Sequence, residues 1–331
     1  MRKGGARGHE MRFGKPAGTD HGGLGHICFG NERVSNRRMV RTATRAVAFL
    51  LFAAALSGCT LLRLGYGQLD TIAAWMADDY FGLEPQQKDE FFKRFGRLHA
   101  WHRHEQLPDY AAFLKGIQSR VQQGVGCEDI MWATEGIFAR YRTLAQRGAD
   151  DAASLLATLT PQQIDTLRKK WEKDNRRFVR DHKLDGTPAE RGKARVTRAI
   201  KQITEWTGSL TSEQEEKIAT LVAAVPAIEQ MRYEDRRRRQ REFLALLEQR
   251  GDKAAFAAKL RHWLTNWEEG RAPQYARMQA EWLEKRAAYF VGVERMLTPR
   301  QRVTLAQRLQ RYIDDFTQLA ESGQPARTAA K

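Results

Sequence analysis

A helix-opening device that recurs along the chain constrains its fold more than any other feature. Leu159-Thr160-Pro161-Gln162-Gln163, Leu210-Thr211-Ser212-Glu213-Gln214 and Leu297-Thr298-Pro299-Arg300-Gln301 share one pattern, and Leu83-Glu84-Pro85-Gln86-Gln87 is a looser copy. The threonine is an N-cap residue, whose hydroxyl accepts from an orphan N–H of the first turn. The glutamine three residues on reaches back to the cap's own N–H and closes a capping box. Proline directly after the cap loses nothing, because its N–H would be unpaired there anyway. The preceding leucine suits a hydrophobic staple. Asp185-Gly186-Thr187-Pro188 is a related stop and restart. The four leucines stand 76, 51 and 87 residues apart, so the pattern is not a fixed-period solenoid.

The apolar spacing agrees with helices. From Tyr66 onward no stretch alternates at period two with β-branched enrichment, and apolar residues recur at three and four. Phe91, Phe95, Leu98 and Trp101 form one stripe, and Ile164, Leu167, Trp171 and Phe178 another. Phe256, Leu260, Trp263, Leu264 and Trp267 make a third. Tyr275, Met278, Trp282 and Tyr289 make a fourth, interrupted by Arg286. Each is one face of an amphipathic helix, and these aromatics read as core. The expected fold is all-α: antiparallel helical hairpins forming an elongated bundle of roughly nine to eleven helices. Turns are expected near Gly82, Leu107-Pro108, Gly124 to Gly126, Gly148, Gly186, Gly208, Gly251 and Gly270.

The N-terminal region reads differently. From Met39 the chain runs MVRTATRAVAFLLFAAALSGC, with Arg41 and Arg45 before an 11-residue apolar run from Ala46 to Leu56. That run is too short for a bilayer, which needs about 20 residues, and has the layout of a cleavable signal. Leu56-Ser57-Gly58-Cys59 resembles the lipobox of bacterial lipoproteins. The resemblance implies cleavage before Cys59 and acylation of its thiol (palmitate among the chains) and of its new amine, which together give a stable anchor. Thr60 stands where an aspartate would resemble an inner-membrane retention signal. The implied location is the periplasmic face of the outer membrane. Residues 1–38 hold nine of the 26 glycines and no periodic apolar face. Met39 is read as the start, residues 1–38 as a non-native or disordered extension, 39–58 as the signal, 59–321 as the helical body and 322–331 as a disordered tail.

The formal charge of +16 shrinks once the signal is set aside. Ten of the 56 Lys/Arg and three of the 40 Asp/Glu precede Cys59, leaving 46 bases and 37 acids. Both signs interleave, as on a charge-laced helical surface with a modest preference for anionic partners. The strongest basic run, Arg236, Arg237, Arg238, Arg239 and Arg241, is the candidate anion-binding site, for lipid phosphates or an anionic envelope polymer. Glu234, Asp235 and Glu242 lie at helical spacing from it and also allow a self-neutralised face. Nucleic acid is not an expected partner of an exported chain.

His99, His102, His104 and Glu105 are the densest metal-like cluster, but no HExxH spacing is present and a structural role is expected. Cys127, the only cysteine beyond Cys59, reads as a small, semi-buried residue near a helix start. No GxSxG, Ser-x-x-Lys, phosphate-binding loop or Cys-x-x-Cys occurs. No catalytic residue, metal ligand or cofactor is assigned, and an enzyme is unsupported.

Two resemblances follow from these residues. Arg63-Leu64-Gly65-Tyr66, Gln68-Leu69-Asp70, Trp75, Asp79-Tyr80-Phe81, Leu107-Pro108-Asp109-Tyr110, Asn175-Arg176-Arg177-Phe178 and Trp282 through Pro299 resemble an uncharacterised family of Gram-negative lipoproteins. That family implies no activity. The Leu-Thr-x-x-Gln openings also resemble those of Spy/CpxP-type periplasmic chaperones, which implies holding of clients or envelope maintenance. The expectation is an acylated periplasmic binding factor. An envelope-metabolism enzyme with an unrecognised site and an accessory subunit of an outer-membrane assembly are the alternatives, the latter implying an envelope protein as partner.

Overall fold

The computed structural model describes residues 61–322, and every regular element among them is helical. In chain order these are α1 (Leu61–Gly67), α2 (Leu69–Phe81), α3 (Pro85–Trp101), a π-helical segment (His102–Gln106), α4 (Leu107–Gln123) and α5 (Cys127–Leu156). There follow α6 (Pro161–His182), α7 (Pro188–Thr207), α8 (Ser212–Ala223), α9 (Glu229–Glu248), α10 (Lys253–Thr265), α11 (Pro273–Arg295) and α12 (Pro299–Glu321). Taking α1 and α2 as one helix interrupted at Gln68, the described residues form eleven α-helices, as the apolar spacing requires. The extension (1–38), the signal (39–58), Cys59 and the tail beyond Ser322 lie outside the described residues.

The helices begin where the capping signals place them. Thr160, Thr187, Thr211 and Thr298 each accept from the N–H three residues on, at 3.2 to 3.3 Å. The returning side chains of Gln163, Glu190, Gln214 and Gln301 accept from the cap N–H at 2.7 to 3.1 Å. Glu84 N–H donates likewise to Gln87 Oε1 at 3.0 Å.

Four of these glutamines do more than cap. Gln87 and Gln163, 76 residues apart, form a buried reciprocal amide pair, each Nε2 donating to the other's Oε1 at 3.1 and 2.6 Å. Gln87 Nε2 also donates to Thr158 O and Gln163 Nε2 to Gly82 O, at 3.1 and 3.0 Å. Gln214 and Gln301 repeat the arrangement at 2.8 and 2.9 Å. They donate to Met296 O at 2.9 Å and Ser209 O at 2.8 Å. Two helix N-termini meet at each joint, and each amide links the loop before its partner's helix. Glutamate would close the capping box equally well, but an ionised carboxylate has no hydrogen to donate. The reciprocal pair therefore requires glutamine. Glu190 occupies the same box position at α7, where no second helix start faces it, and a backbone hydrogen bond from Thr187 holds its carboxyl below the usual range.

The leucines ahead of the boxes enter the cores. Leu83 and Leu159 pack with Leu167, Phe243, Leu247, Phe256 and Leu260 from α6, α9 and α10. Leu297, with Leu210 against it, packs with Ile203, Ile218, Val222, Tyr289 and Val293 from α7, α8 and α11. A third cluster joins Tyr66 of α1 to Leu107, Leu319 and Ala320. Consecutive helices fold back on one another at α2/α3, α4/α5, α7/α8 and α9/α10, and the longest-range packing sets α12 on α4 and α10 and α11 on α5.

Two expected turns are not turns. At Leu107-Pro108 the helix continues, because Leu107 N–H reaches back five residues to His102 O. Pro108 then falls in the first turn of α4, where its missing N–H is not needed. At Gly148 α5 also runs on. A Cβ there would lie 3.3 Å from Leu98 Cδ2, and Ala149 and Ala153 beside it are buried. The small residues admit α3 rather than end a helix.

Candidate functional site

The arginine run lies on α9, and the fold uses most of it internally. Arg238 pairs with Asp235 at 2.8 Å and Glu242 at 2.6 Å, and donates to Glu269 O. Arg236 donates to Asn175 Oδ1 at 2.8 Å. Arg239 stacks 3.7 Å above the Trp263 ring and donates to Trp263 O, and burial lowers its guanidinium pKa. Arg237 stands 6.0 Å from the Tyr233 ring, and Arg241 is exposed. The helix periodicity thus scatters the five arginines around α9 instead of collecting them on one surface. The expected self-neutralisation holds for Arg238. Asp235 pairs onward with Arg271 rather than with Arg239, and Glu234 accepts from Gln230.

His104 is exposed, whereas His99 and His102 pack on Tyr66 of α1. Tyr66 Oη stands 2.9 Å from His102 Nδ1. Burial pushes the tyrosine up to about 12 and both imidazoles below their ordinary value. Tyr66 therefore stays protonated, within hydrogen-bonding distance of a neutral His102. No group of three or more metal-ligating side chains occurs among the described residues. Cys127 is exposed rather than semi-buried, because the first turn of α5 projects from a three-residue loop.

Helices α1 and α2 carry the most exposed large apolar side chains. Trp75 is 69% exposed, and Leu64, Ile72 and Met76 stand open beside it in sequence. At helical spacing Ile72, Trp75 and Met76 share a face. The acids nearest them are engaged: Asp78 pairs with Lys88 at 3.0 Å and Asp79 with Lys170. Helix α1 is fixed to α12 through the ion pair of Arg63 with buried Asp315, a bond from Arg63 to Gln318, and the Tyr66 cluster.

A second site was not assembled by the sequence. Helices α7, α9 and α11 enclose a cleft of about 250 Å³, walled by Arg195, Arg198, Arg232, Arg286, Trp282 and Tyr289 with Phe290 alongside. Glu229 is the only acid lining it among the described residues, and Arg195 holds that carboxylate at 3.3 Å while donating to Val225 O. Arg198 donates to Asp181 O at 2.9 Å. Arg286 lies against two aromatic faces, 4.8 Å from the Trp282 ring centre and 5.1 Å from that of Phe290. Burial, and then the charge of Arg232, push its guanidinium down. The Tyr289 hydroxyl is buried without a hydrogen-bond partner among the described residues, and burial raises its pKa to about 12. One signal in the sequence pointed here: Arg286 breaks the apolar stripe of α11 one turn after Trp282.

A family model described as a family of unknown function, DUF6279, matches residues 79–276, about three-fifths of the chain. The chain belongs to that family. The DUF6279 match takes in α3 to α10 and the first glutamine joint. Most of α11 and all of α12 lie beyond it, with the cleft's Trp282, Arg286 and Tyr289. No curated protein and no solved structure matches the chain.

Proposed function

We propose that this DUF6279 protein is a lipid-anchored envelope protein of the outer membrane's periplasmic face that works by binding rather than catalysis. The observation that carries the reading is the exposed stripe of Leu64, Ile72, Trp75 and Met76, which begins five residues after Cys59. An acyl chain on Cys59 would bring α1 and α2 to the bilayer surface, where a half-wet tryptophan and its apolar neighbours are favoured. No helix among the described residues is long and apolar enough to cross a membrane, so attachment by this route rests on the lipid and the stripe. The docking of α1 on α12 ties the stripe to the rest of the described body. A binding role is supported by a concave, aromatic, arginine-rimmed cleft between α7, α9 and α11.

The test replaces Cys59 with alanine in cells grown with a labelled fatty acid, followed by separation of inner membrane, outer membrane and soluble fractions. The wild type is expected to carry label and to sediment with the outer membrane, and C59A to lose both. Undiminished label and membrane retention in C59A would sink the reading.

A further inference from the structure

We infer that the cleft between α7, α9 and α11 binds a phosphate group, with Arg286 and Arg232 as its charged donors and Tyr289 as its neutral one. Trp282 and Phe290 form the apolar wall beside it. This inference does not depend on the lipid anchor.

Two of the cleft's four arginines are already engaged by the fold. Arg195 is consumed by Glu229 and by carbonyls at the end of α8, and Arg198 by Asp181 O. Arg286 makes no ion pair and no hydrogen bond among the described residues, and its planar fork stands against two aromatic faces. Arg232 shares the same indole from 5.1 Å; it makes a side-chain hydrogen bond with Tyr275, but no carboxylate is paired to it among the described residues. Two guanidinium groups flanking one tryptophan repel each other, and proteins normally place a carboxylate between such groups. Here the place is open to solvent and a buried tyrosine hydroxyl lacks an acceptor beside it. Buried donors are almost always satisfied, so one left over next to uncompensated cations calls for an anionic acceptor.

The charge and size select the anion. Four arginines face one glutamate, an excess better matched by a doubly charged oxyanion than by a single carboxylate. Guanidinium forks bind phosphate oxygens bidentately. About 250 Å³ is below the usual range for a whole small-molecule ligand. It admits a phosphate group with a few further atoms, and the rest of the ligand would lie outside, along Trp282 and Phe290. The phosphate could belong to a soluble ester or to a lipid headgroup, and the chemistry of recognition is the same.

The experiment uses the purified full chain with two probes, inorganic pyrophosphate and phosphatidylglycerol vesicles, at fixed ionic strength set by sodium chloride. Pyrophosphate is expected to quench tryptophan emission saturably and to raise Tm. Arg286→Gln is expected to weaken that binding at least tenfold and Tyr289→Phe several-fold. The Tm of ligand-free R286Q is expected to equal or exceed the wild-type value, because a half-buried guanidinium with no carboxylate partner has been removed. A merely structural Arg286 would instead lower Tm and leave pyrophosphate affinity unchanged, and that result overturns the inference. Should R286Q fail to fold, Arg232→Gln reads the same tenfold loss. Vesicle binding that falls tenfold in the variant assigns the phosphate to a lipid headgroup. Pyrophosphate binding alone, with vesicles indifferent to the variant, assigns it to a soluble ligand. Absence of arginine-dependent binding to either probe overturns the proposal.

Discussion

Changing Gln301 to glutamate swaps the amide nitrogen for an oxygen and tests the account of the glutamine joints. The new carboxyl group can still accept from Thr298 N–H and from Gln214 Nε2. When ionised it can no longer donate to Ser209 O or to Gln214 Oε1, bonds of 2.8 and 2.9 Å in the native joint. Two buried acceptors are then left unpaired, at about 1–3 kcal/mol each. The protein can escape by protonating the carboxylate, which restores one donated bond. From an unfolded pKa of about 4.3, that costs at most about 5 kcal/mol at pH 8. The expected loss is therefore about 2–6 kcal/mol at pH 8 and about 1–3 kcal/mol near pH 4.5. The sign follows from linkage: a carboxyl whose folded pKa is raised is destabilising where the unfolded chain is ionised, and the penalty grows as pH rises toward the folded pKa. At about 2–4 °C per kcal/mol for a body of this size, Tm should drop by roughly 10 °C at pH 8. Thermal unfolding of Q301E and wild type, compared at each pH, reads the difference. Glu190→Gln in the unpaired capping box is the control and should shift Tm by less than about 2 °C (about 0.5 kcal/mol). A Q301E loss that is small at pH 8, or equal at both pH values, would refute the requirement for a reciprocal amide.

Three further outcomes follow from other contacts. Gly96 is exposed in the interior of α3 with open space around its Cα, so Gly96→Ala should stabilise by about 0.5–1 kcal/mol in thermal unfolding. Gly136→Ala should do the reverse, by about 1–3 kcal/mol, because its Cβ would fall 2.5 Å from Phe113 Cε2, whose ring is held under Arg140 and against Trp132. Stability should also decline as pH falls from about 7 through about 6, around the unfolded imidazole pKa. The imidazoles of His99, His102 and His182 all have folded pKa values below their unfolded one, so the unfolded chain takes up more protons in that window. Around His99 and His102 stand Tyr66, Arg103, Asp70 and Tyr110, and only the aspartate favours protonation. His102→Gln should flatten the slope of Tm against pH, since it removes one imidazole whose folded pKa burial lowers. An unchanged slope would count against burial of that imidazole.

The helix starts were legible because capping is local chemistry. Thr160, Thr211 and Thr298 announce themselves within four residues, and so do the prolines behind two of them. The partner of each glutamine was not legible, since nothing within a few residues of Gln87 refers to Gln163. Their meeting depends on how α5 returns the chain to the start of α3. The choice of glutamine over glutamate at three threonine boxes, with glutamate at the Thr187 box, did hold a trace of it. Leu107-Pro108 and Gly148 misled for the opposite reason. Proline and glycine end helices by default, and here a π-helical turn and a close helix contact, both tertiary circumstances, override the default. The arginine run misled by its density, because consecutive positions on a helix point in different directions. The cleft draws its arginines from three separate helices, and no window of sequence holds more than two of them.

The second joint and the cleft are parts of one structure. Gln214 Nε2 donates to Met296 O, the carbonyl just past the end of α11, so the joint ties down the helix that carries Trp282, Arg286 and Tyr289. Tyr289 and Val293 of that helix pack in the same cluster as Leu297. The cleft's aromatic wall is thus the outer edge of a core, held by rigid elements rather than by loops, as a preorganised site requires. Its uncompensated Arg286 is what a fold optimised for stability alone would have replaced with an apolar residue. Retaining a cation there costs stability that the joint and the leucine staples can sustain. Stability and binding should accordingly respond in opposite senses at Arg286 and in the same sense at Gln301, whose loss loosens α11 itself.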